Sequence, residues 1–213
     1  MNLVLFGAGG HALEVLDVAL KAETKYSGIK FCVTKPSESK FVGYELISWE
    51  EFLNSSPLES LVHLAIGDSS ARARFTTEFE SYGFKAHSLI SPLASVSPSA
   101  IIDLGCFVGD FAYIGPRVKL GKSVVVNTSV TISHESIVSD FVTVSPGARI
   151  NGNVRLGEGS FVGSGAVIKN GEQNNPIEVG NNSRIGAGSV VLNNVASNST
   201  VVGNPAKMIY ERT

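Results

Sequence analysis

An aliphatic residue, Ile, Leu or Val, occupies every sixth position from Ile90 to Ile168 without interruption. The series is Ile90, Val96, Ile102, Val108, Ile114, Leu120, Val126, Ile132, Val138, Val144, Ile150, Leu156, Val162 and Ile168. Small or slim residues lie two positions before these, among them Ala94, Cys106 and Ser136. A period of six fits neither a helix nor a simple strand. A short period that persists over many units predicts a solenoid, in which each unit buries its apolar face against its neighbours.

Three such hexapeptides complete one triangular coil of short strands, so we expect residues eighteen positions apart to stack along the axis. Gly, Asp, Asn and Pro at the remaining positions suit turns on an outer wall. The repeat fails at 170–176, where Val179 follows Ile168 after eleven residues (179 − 168) instead of six. This segment is therefore predicted to be a loop extruded from a corner.

The residues before the repeat show the spacing of an α/β domain. We predict strands at 2–6, 29–34, 42–47, 61–66 and 84–89, and helices after the first strand, over 49–53 behind a Ser48 cap, and from Asp68 or Ser69 to about Tyr82. Arg72 and Arg74 are expected on the solvated face of the last helix. The chain is thus predicted to contain a Rossmann-like α/β domain, residues 1–89, followed by a parallel β-helix, residues 90–213.

A glycine turn, Gly7-Ala-Gly-Gly-His11, joins the first strand to the first helix. Such a turn lets a phosphate approach the backbone and the helix amino terminus, which favours phosphate or nucleotide binding over a purely structural tight turn. A nicotinamide site also needs an acidic residue at the end of the second strand, and Thr34 stands there instead. A dehydrogenase is therefore disfavoured, although Thr34 and the Gly67 turn remain candidates for ligand contacts.

Composition excludes several other classes. The net charge of -2 and the pI near 6.1 give no nucleic-acid footprint. A leader segment and an apolar run of roughly 20 residues are both missing from the sequence, so we expect a cytoplasmic protein that does not span a membrane. The two cysteines, Cys32 and Cys106, show no metal-binding spacing and are not expected to form a disulfide.

His134 is the histidine of the repeat, and it lies outside both inward registers, so its side chain should project. A projecting histidine is often an ordinary surface residue. Its neighbours favour chemistry: Glu135 can raise the basicity of the imidazole, and the residue stacked eighteen positions later is Gly152, which leaves space and an approachable N–H. Asn127 is expected within reach of the same pocket. A metal-dependent hydratase would need about three histidine ligands, so no metal site is expected.

Three segments carry a resemblance to a known family: the glycine turn, Asn127–Glu135, and Val202-Gly-Asn-Pro-Ala-Lys207. The repeat resembles that of the hexapeptide acyltransferases, whose fold is a left-handed parallel β-helix. The chain as a whole resembles the bacterial nucleotide-sugar N-acetyltransferases that modify 4-amino-4,6-dideoxy sugars, which are related to sialic acid O-acetyltransferases. The resemblance implies a homotrimer that uses acetyl-CoA and a nucleotide-linked amino sugar.

The resemblance also implies roles for individual residues. His134 would be the general base, supported by Glu135, and Asn127 would help to hold the substrate. Gly9, Gly10 and His11 would contact the nucleotide sugar, whereas Thr143, Gly152, Ser164 and Ala187 would line the acetyl-CoA groove. Two alternatives remain open: O-acetylation of a sialic acid or a related sugar, and a β-helix that binds nucleotide sugars without catalysis.

Overall fold

The computed structural model describes residues 1–22, 26–55 and 60–211. Within these ranges, the first part contains three helices: α1 Gly10–Lys21, α2 Trp49–Asn54 and α3 Ser69–Ser81. Five strands accompany them: β1 Asn2–Phe6, β2 Gly28–Val33, β3 Lys40–Phe41, β4 Tyr44–Ser48 and β5 Ser60–Leu64. The later strands are β6 Leu89–Ile90, β7 Ser95–Val96, β8 Ile101–Ile102, β9 Phe107–Val108, β10 Tyr113–Ile114, β11 Lys119–Leu120, β12 Val125–Val126, β13 Thr131–Ile132, β14 Ile137–Val138, β15 Thr143–Val144, β16 Arg149–Ile150, β17 Val154–Leu156, β18 Phe161–Val162, β19 Val167–Ile168, β20 Ile177–Val179, β21 Arg184–Ile185, β22 Val190–Val191, β23 Ser199–Val202 and β24 Lys207–Glu211.

The first five strands form one sheet in the order β3-β4-β2-β1-β5, with β1 parallel to both β2 and β5. The predicted helix caps are confirmed: the Ser48 side chain closes a capping box with Glu51, and Asp68 accepts a hydrogen bond from the Ala71 N–H. The predicted strand at 42–47 begins later, at Tyr44, because Val42 and Gly43 have positive φ angles and turn the chain between β3 and β4.

The prediction of a strand at 84–89 is wrong over most of this segment. Residue Ala86 makes only an isolated bridge to Val62, and regular pairing starts at Leu89. There the chain pairs with Phe107 and Val108 of the solenoid, not with β5. The alternation of apolar residues at 84–89 instead serves packing, since Phe84 is buried among the aromatic residues of α2 and α3.

The repeat folds as predicted, into a β-helix of three parallel sheets. The first face contains β6, β9, β12, β15, β18, β21 and β23, the second face β7, β10, β13, β16, β19 and β22, and the third face β8, β11, β14, β17 and β20. In the coils up to β19, partners lie eighteen residues apart, as in Tyr113 opposite Thr131. We name the bend after each first-face strand the first corner, and the bend after each second-face strand the second corner.

The two inward registers fill the prism. Aliphatic residues from Val108 to Val191 are buried, and small residues such as Cys106, Ala148 and Ala166 pack between them in one continuous core. The coils nearest the sheet are less enclosed: Ile90 is 37% exposed, while Val96 and Ile102 are partly buried. The loop prediction is also confirmed, because β17 pairs with β20 by joining Val154 to Ile177, which leaves 170–176 outside the stack.

Helix α1 and the sheet pack directly against the first face. Leu3, Leu5 and Phe31 share a buried cluster with Leu89, Phe107 and Val125, so the sheet and the first coils have a common apolar interface. Arg72 lies within this contact region and is only 1% exposed, so the expectation that it occupies a solvated helix face is wrong. Arg74 is exposed as expected, with its guanidinium 4.7 Å from the Phe75 ring centroid.

Candidate active site

The second corner carries the histidine singled out by the sequence. His134 follows β13, its side chain is 52% exposed, and its Nδ1 lies 3.3 Å from Oε2 of Glu135. Because a carboxylate only accepts hydrogen bonds, this contact favours the neutral tautomer with its proton on Nδ1, in which the lone pair lies on Nε2. Nε2 is therefore the atom that can take a proton from a substrate.

Glu135 is held by the corner itself. Its φ angle is +63°, one of a series of positive φ values that recurs at successive corners, including Arg117 and Phe141. Its second carboxylate oxygen forms an ion pair with Arg117, which lies eighteen residues earlier and hence one coil below. Sequence reasoning missed Arg117, although the eighteen-residue stacking rule places it directly under Glu135.

Gly152 lies above His134 on the next coil, where the Asn153 N–H donates a 3.0 Å hydrogen bond to the His134 carbonyl. A Cβ atom on residue 152 would overlap with Nε2 and Cε1 of the imidazole, so the missing side chain makes room for the ring. The Gly152 N–H donates to no acceptor among the described residues. A free backbone donor thus lies beside the basic nitrogen.

Asn127 occupies the first corner, one face away from His134. Its Nδ2 donates a 3.0 Å bond to the Val144 carbonyl, which fixes the orientation of the amide and turns Oδ1 the other way. The residue lines a cavity of about 160 Å³ between α1 and the solenoid, together with Glu14 and Asp110. Within one chain, therefore, Asn127 and His134 lie at different corners of the prism.

The predicted acceptor residues lie together at one edge of the sheet. Gly9 and Gly10 form the amino terminus of α1, and a Cβ on either would meet no atom within 4 Å. His11 donates from Nδ1 to Glu14, and its buried Nε2 has no partner among the described residues. A Cβ on Gly67 would lie 3.8 Å from the Cβ of His11, while Thr34 follows the neighbouring strand β2 and is exposed.

The residues predicted to line the acetyl-CoA groove divide between the two corners. Ser164 and Ala187 are exposed at the first corner on successive coils, whereas Gly152 lies at the second. Thr143 is 6% exposed, and its hydroxyl accepts a 2.8 Å hydrogen bond from Arg72. The Thr143 side chain is thus engaged in packing between the sheet and the solenoid.

Neither cysteine is suited to covalent catalysis. Cys32 and Cys106 are buried free thiols, and burial raises the pKa of each to about 12, which keeps the thiolate population negligible at neutral pH. Over residues 1–22, 26–55 and 60–211, no group of three His, Cys, Asp or Glu side chains could hold a metal ion. None of the helices in those ranges is long and apolar enough to cross a membrane.

Known proteins share this architecture. The model of the PglD N-terminal domain matches residues 2–79. The acetyltransferase domain of PglB from Neisseria gonorrhoeae FA1090, solved in complex with acetyl coenzyme A, is 36% identical over 98% of both chains, with a TM-score of 0.90. WeeI from Acinetobacter baumannii AYE is 28% identical over 98% of this chain and 100% of its own, with a TM-score of 0.91. No curated protein sequence matches the chain.

A perosamine N-acetyltransferase from Caulobacter crescentus, in complex with CoA and GDP-perosamine, shares the fold at 24% identity, with a TM-score of 0.90 over 99% of this chain and 98% of its own. Fold and site thus define a β-helix acetyltransferase with an amino-terminal α/β domain. Within that class, the chain belongs to the family of the PglB acetyltransferase domain.

Proposed function

We propose that this enzyme transfers the acetyl group of acetyl-CoA to the C4 amine of a nucleotide-linked 4-amino-4,6-dideoxy sugar. The observation that carries the proposal is the arrangement at the second corner: a lone pair on Nε2 of His134, a carboxylate behind its Nδ1, and a free Gly152 N–H beside it. The PglB domain was solved with acetyl coenzyme A, and this chain aligns with it over nearly its whole length.

The proposed reaction is a direct transfer. The amine nitrogen attacks the thioester carbonyl while Nε2 of His134 takes its proton, and the Gly152 N–H stabilises the oxyanion that forms. The C–S bond then breaks, the new amide remains on the sugar, and the CoA sulfur takes the proton from the imidazolium. Glu135 orients the ring and stabilises its charged form. The thiols of Cys32 and Cys106 are buried and protonated, so neither is suited to form an acyl-enzyme intermediate.

The acceptor would bind at the edge of the sheet. The open backbone at Gly9 and Gly10, at the amino terminus of α1, suits a diphosphate group, with His11, Thr34 and Gly67 around it. From there the sugar can extend along α1 into the cavity that Asn127 lines, where Oδ1 is available to accept a hydrogen bond from an amine or hydroxyl.

We also propose that the active enzyme is a homotrimer. Asn127, Ser164 and Ala187 lie at the first corner, whereas His134 and Gly152 lie at the second, so a single chain does not unite the predicted set. Packing the second corner of one copy against the first corner of another would complete the site. In a closed ring, every copy makes the same two contacts, so every site is complete. We place the reaction in the cytoplasm, where acetyl-CoA and nucleotide sugars are available.

The test is release of free CoA thiol from acetyl-CoA. UDP- and GDP-linked 4-amino-4,6-dideoxy sugars are compared with free and CMP-linked sialic acid, using wild type and His134→Ala. We expect release with a 4-amino sugar and a loss of about 10³-fold in the variant, the size of a general-base contribution. Release only with the sialic acids would identify an O-acetyltransferase. Binding of a nucleotide sugar without release from any acceptor would identify a non-catalytic binder.

A further inference from the structure

Arg72 is a buried cation that the proposed chemistry does not use. Its side chain leaves the first turn of α3, is 1% exposed, and makes six hydrogen-bond contacts from its five N–H groups, with the two hydrogens of Nη2 shared among three acceptors. The acceptors are the carbonyls of Ile66 at 3.0 Å, Gly67 at 2.7 Å, Ser123 at 3.0 Å, Phe141 at 2.8 Å and Val142 at 3.4 Å, and the hydroxyl of Thr143 at 2.8 Å. Burial lowers the pKa of Arg72 to about 10, so the side chain remains charged at neutral pH.

This environment is an unusual way to hold a charge. Among the described residues, no carboxylate accepts a hydrogen bond from the guanidinium; backbone carbonyls and one hydroxyl replace water around it, and the charge of Asp68 lies near enough to favour its charged form. Taking a cation out of water is costly, and an apolar side chain of similar size would often be as stable. Stability alone therefore gives a weak reason for an arginine here, whereas its planar fork of donors can fix several carbonyls at once.

On the sheet side, Arg72 determines the direction of two peptide groups. The carbonyls of Ile66 and Gly67 both point to the guanidinium. In a trans peptide the N–H points opposite to the carbonyl, so the N–H groups of Gly67 and Asp68 are turned away from Arg72. Neither N–H donates to an acceptor among the described residues. The turn that they belong to lies beside His11, at the proposed acceptor edge.

On the solenoid side, the same guanidinium bridges two coils. Ser123 and Phe141 are eighteen residues apart (141 − 123) and lie at equivalent bends of adjacent coils, and Thr143 follows on β15 of the first face. One rigid group thus connects the turn after β5 to two coils of the β-helix. No other side chain of α3 donates hydrogen bonds to both the turn and the solenoid in the described parts of the chain.

We propose that Arg72 is a positioning residue that fixes the acceptor-binding turn at Gly67 relative to the β-helix that carries the acetyl donor. This inference rests on the proposed function, because it assigns the Gly67 turn to the nucleotide-linked acceptor. A turn that is already held in its bound conformation costs less ordering when the ligand binds, so loosening it weakens binding of the acceptor and not of acetyl-CoA. Arg72 acts through the backbone and touches neither substrate.

The test compares Arg72→Lys with Arg74→Met, a substitution of the exposed arginine two positions along the same helix. Lysine keeps the charge but presents a single nitrogen, so it cannot hold both Gly67 and the solenoid carbonyls. We expect Arg72→Lys to raise the KM for the nucleotide sugar about tenfold or more and to leave the KM for acetyl-CoA within about twofold. Arg74→Met should match wild type in both constants.

A purely structural role would give a different result. Arg72→Lys would then lower the melting temperature and the yield of active enzyme with both KM values unchanged, or would raise both together, and either outcome overturns the proposal. If Arg72→Lys does not fold, Thr143→Val is used instead. This variant removes the hydroxyl that accepts a hydrogen bond from Arg72, and it is expected to show the same selective rise in the KM for the acceptor. Inactivity of wild type itself would refute the proposed function instead.

Discussion

At the scale of single residues, His134 depends on a side chain that is missing from the next coil. Replacing Gly152 by alanine places a methyl group where Nε2 and Cε1 of the imidazole now lie. The ring is half exposed and can swing away at little cost, so we expect Gly152→Ala to fold with a melting temperature close to wild type. Its kcat should fall by about 10²-fold or more, because the base leaves its position.

The measurement is thiol release at saturating substrates, combined with thermal unfolding. The His134→Ala variant provides the control, because Gly152→Ala in that background removes nothing further and should have little additional effect. Unchanged kcat in Gly152→Ala would mean that the imidazole position in the structure does not govern the reaction.

At the scale of elements, His63 on β5 makes the contact between sheet and solenoid sensitive to acid. It is 1% exposed, its Nδ1–H donates a 2.8 Å bond to the His87 carbonyl, and burial lowers its pKa from 6.5 to about 3. Below about pH 6.5, His63 binds a proton in the unfolded chain, whereas in the folded chain it stays neutral until the pH is about 3. The contribution of the neutral His63 to the free energy of unfolding is therefore complete above pH 6.5 and is lost as the pH falls towards 3.

We expect this histidine to steepen the loss of stability in acid by up to about 1.4 kcal/mol per pH unit. His63→Asn keeps a donor for the His87 carbonyl but cannot be protonated, so its unfolding free energy should fall less steeply between pH 6.5 and 4. Urea unfolding of both proteins across this range measures the difference. Parallel curves would show that His63 is not the group responsible.

The elements differ in how far the sequence predicts them. The hexapeptide period predicts the coils, their register and the extruded loop. Each unit contacts only its neighbours, so its position follows from the sequence around it. Helix caps at Ser48 and Asp68 follow for the same reason, since capping is local. The segment 84–89 and the burial of Arg72 could not be read in this way, because both depend on which solenoid coil packs against the sheet.

The candidate site also contains some features that local sequence predicts and others that depend on packing between distant elements. The positions of His134, Glu135 and Gly152 follow from spacing alone, and Arg117 would follow from it too. The engagement of Thr143 with Arg72 and the separation of Asn127 from His134 by one face depend on the corner geometry and on the partner element. Roles assigned to these residues remain predictions that the experiments address.

At the scale of the whole molecule, the corner arrangement predicts that two inactive variants can restore activity together. If the first corner of one copy meets the second corner of the next, Asn127 and His134 of one site come from different chains. Co-expressed Asn127→Ala and His134→Ala chains should then form about a quarter of their sites with both residues intact. Thiol release by the purified mixture, compared with each variant alone, measures this recovery.

A matched control mixes His134→Ala with the double variant Asn127→Ala/His134→Ala, which offers no intact His134 and should stay inactive. No recovery in the first mixture, in particles whose light-scattering mass is that of three chains, would mean that each chain supplies both residues to its own site. A monomeric mass at working concentration would refute the trimer itself.

The strand β24 has a consequence for how copies of this protein can meet. It turns back antiparallel on β23, pairing Val202 with Lys207 and Thr200 with Tyr210, so the last parallel strand of the first face already has a partner. An uncovered strand at that end would be a template for the first strand of another copy, and the stack could lengthen without limit. With this face terminated, another copy cannot add to it strand by strand, whereas contact through the sides of the prism, as in the proposed trimer, closes into a ring of finite size.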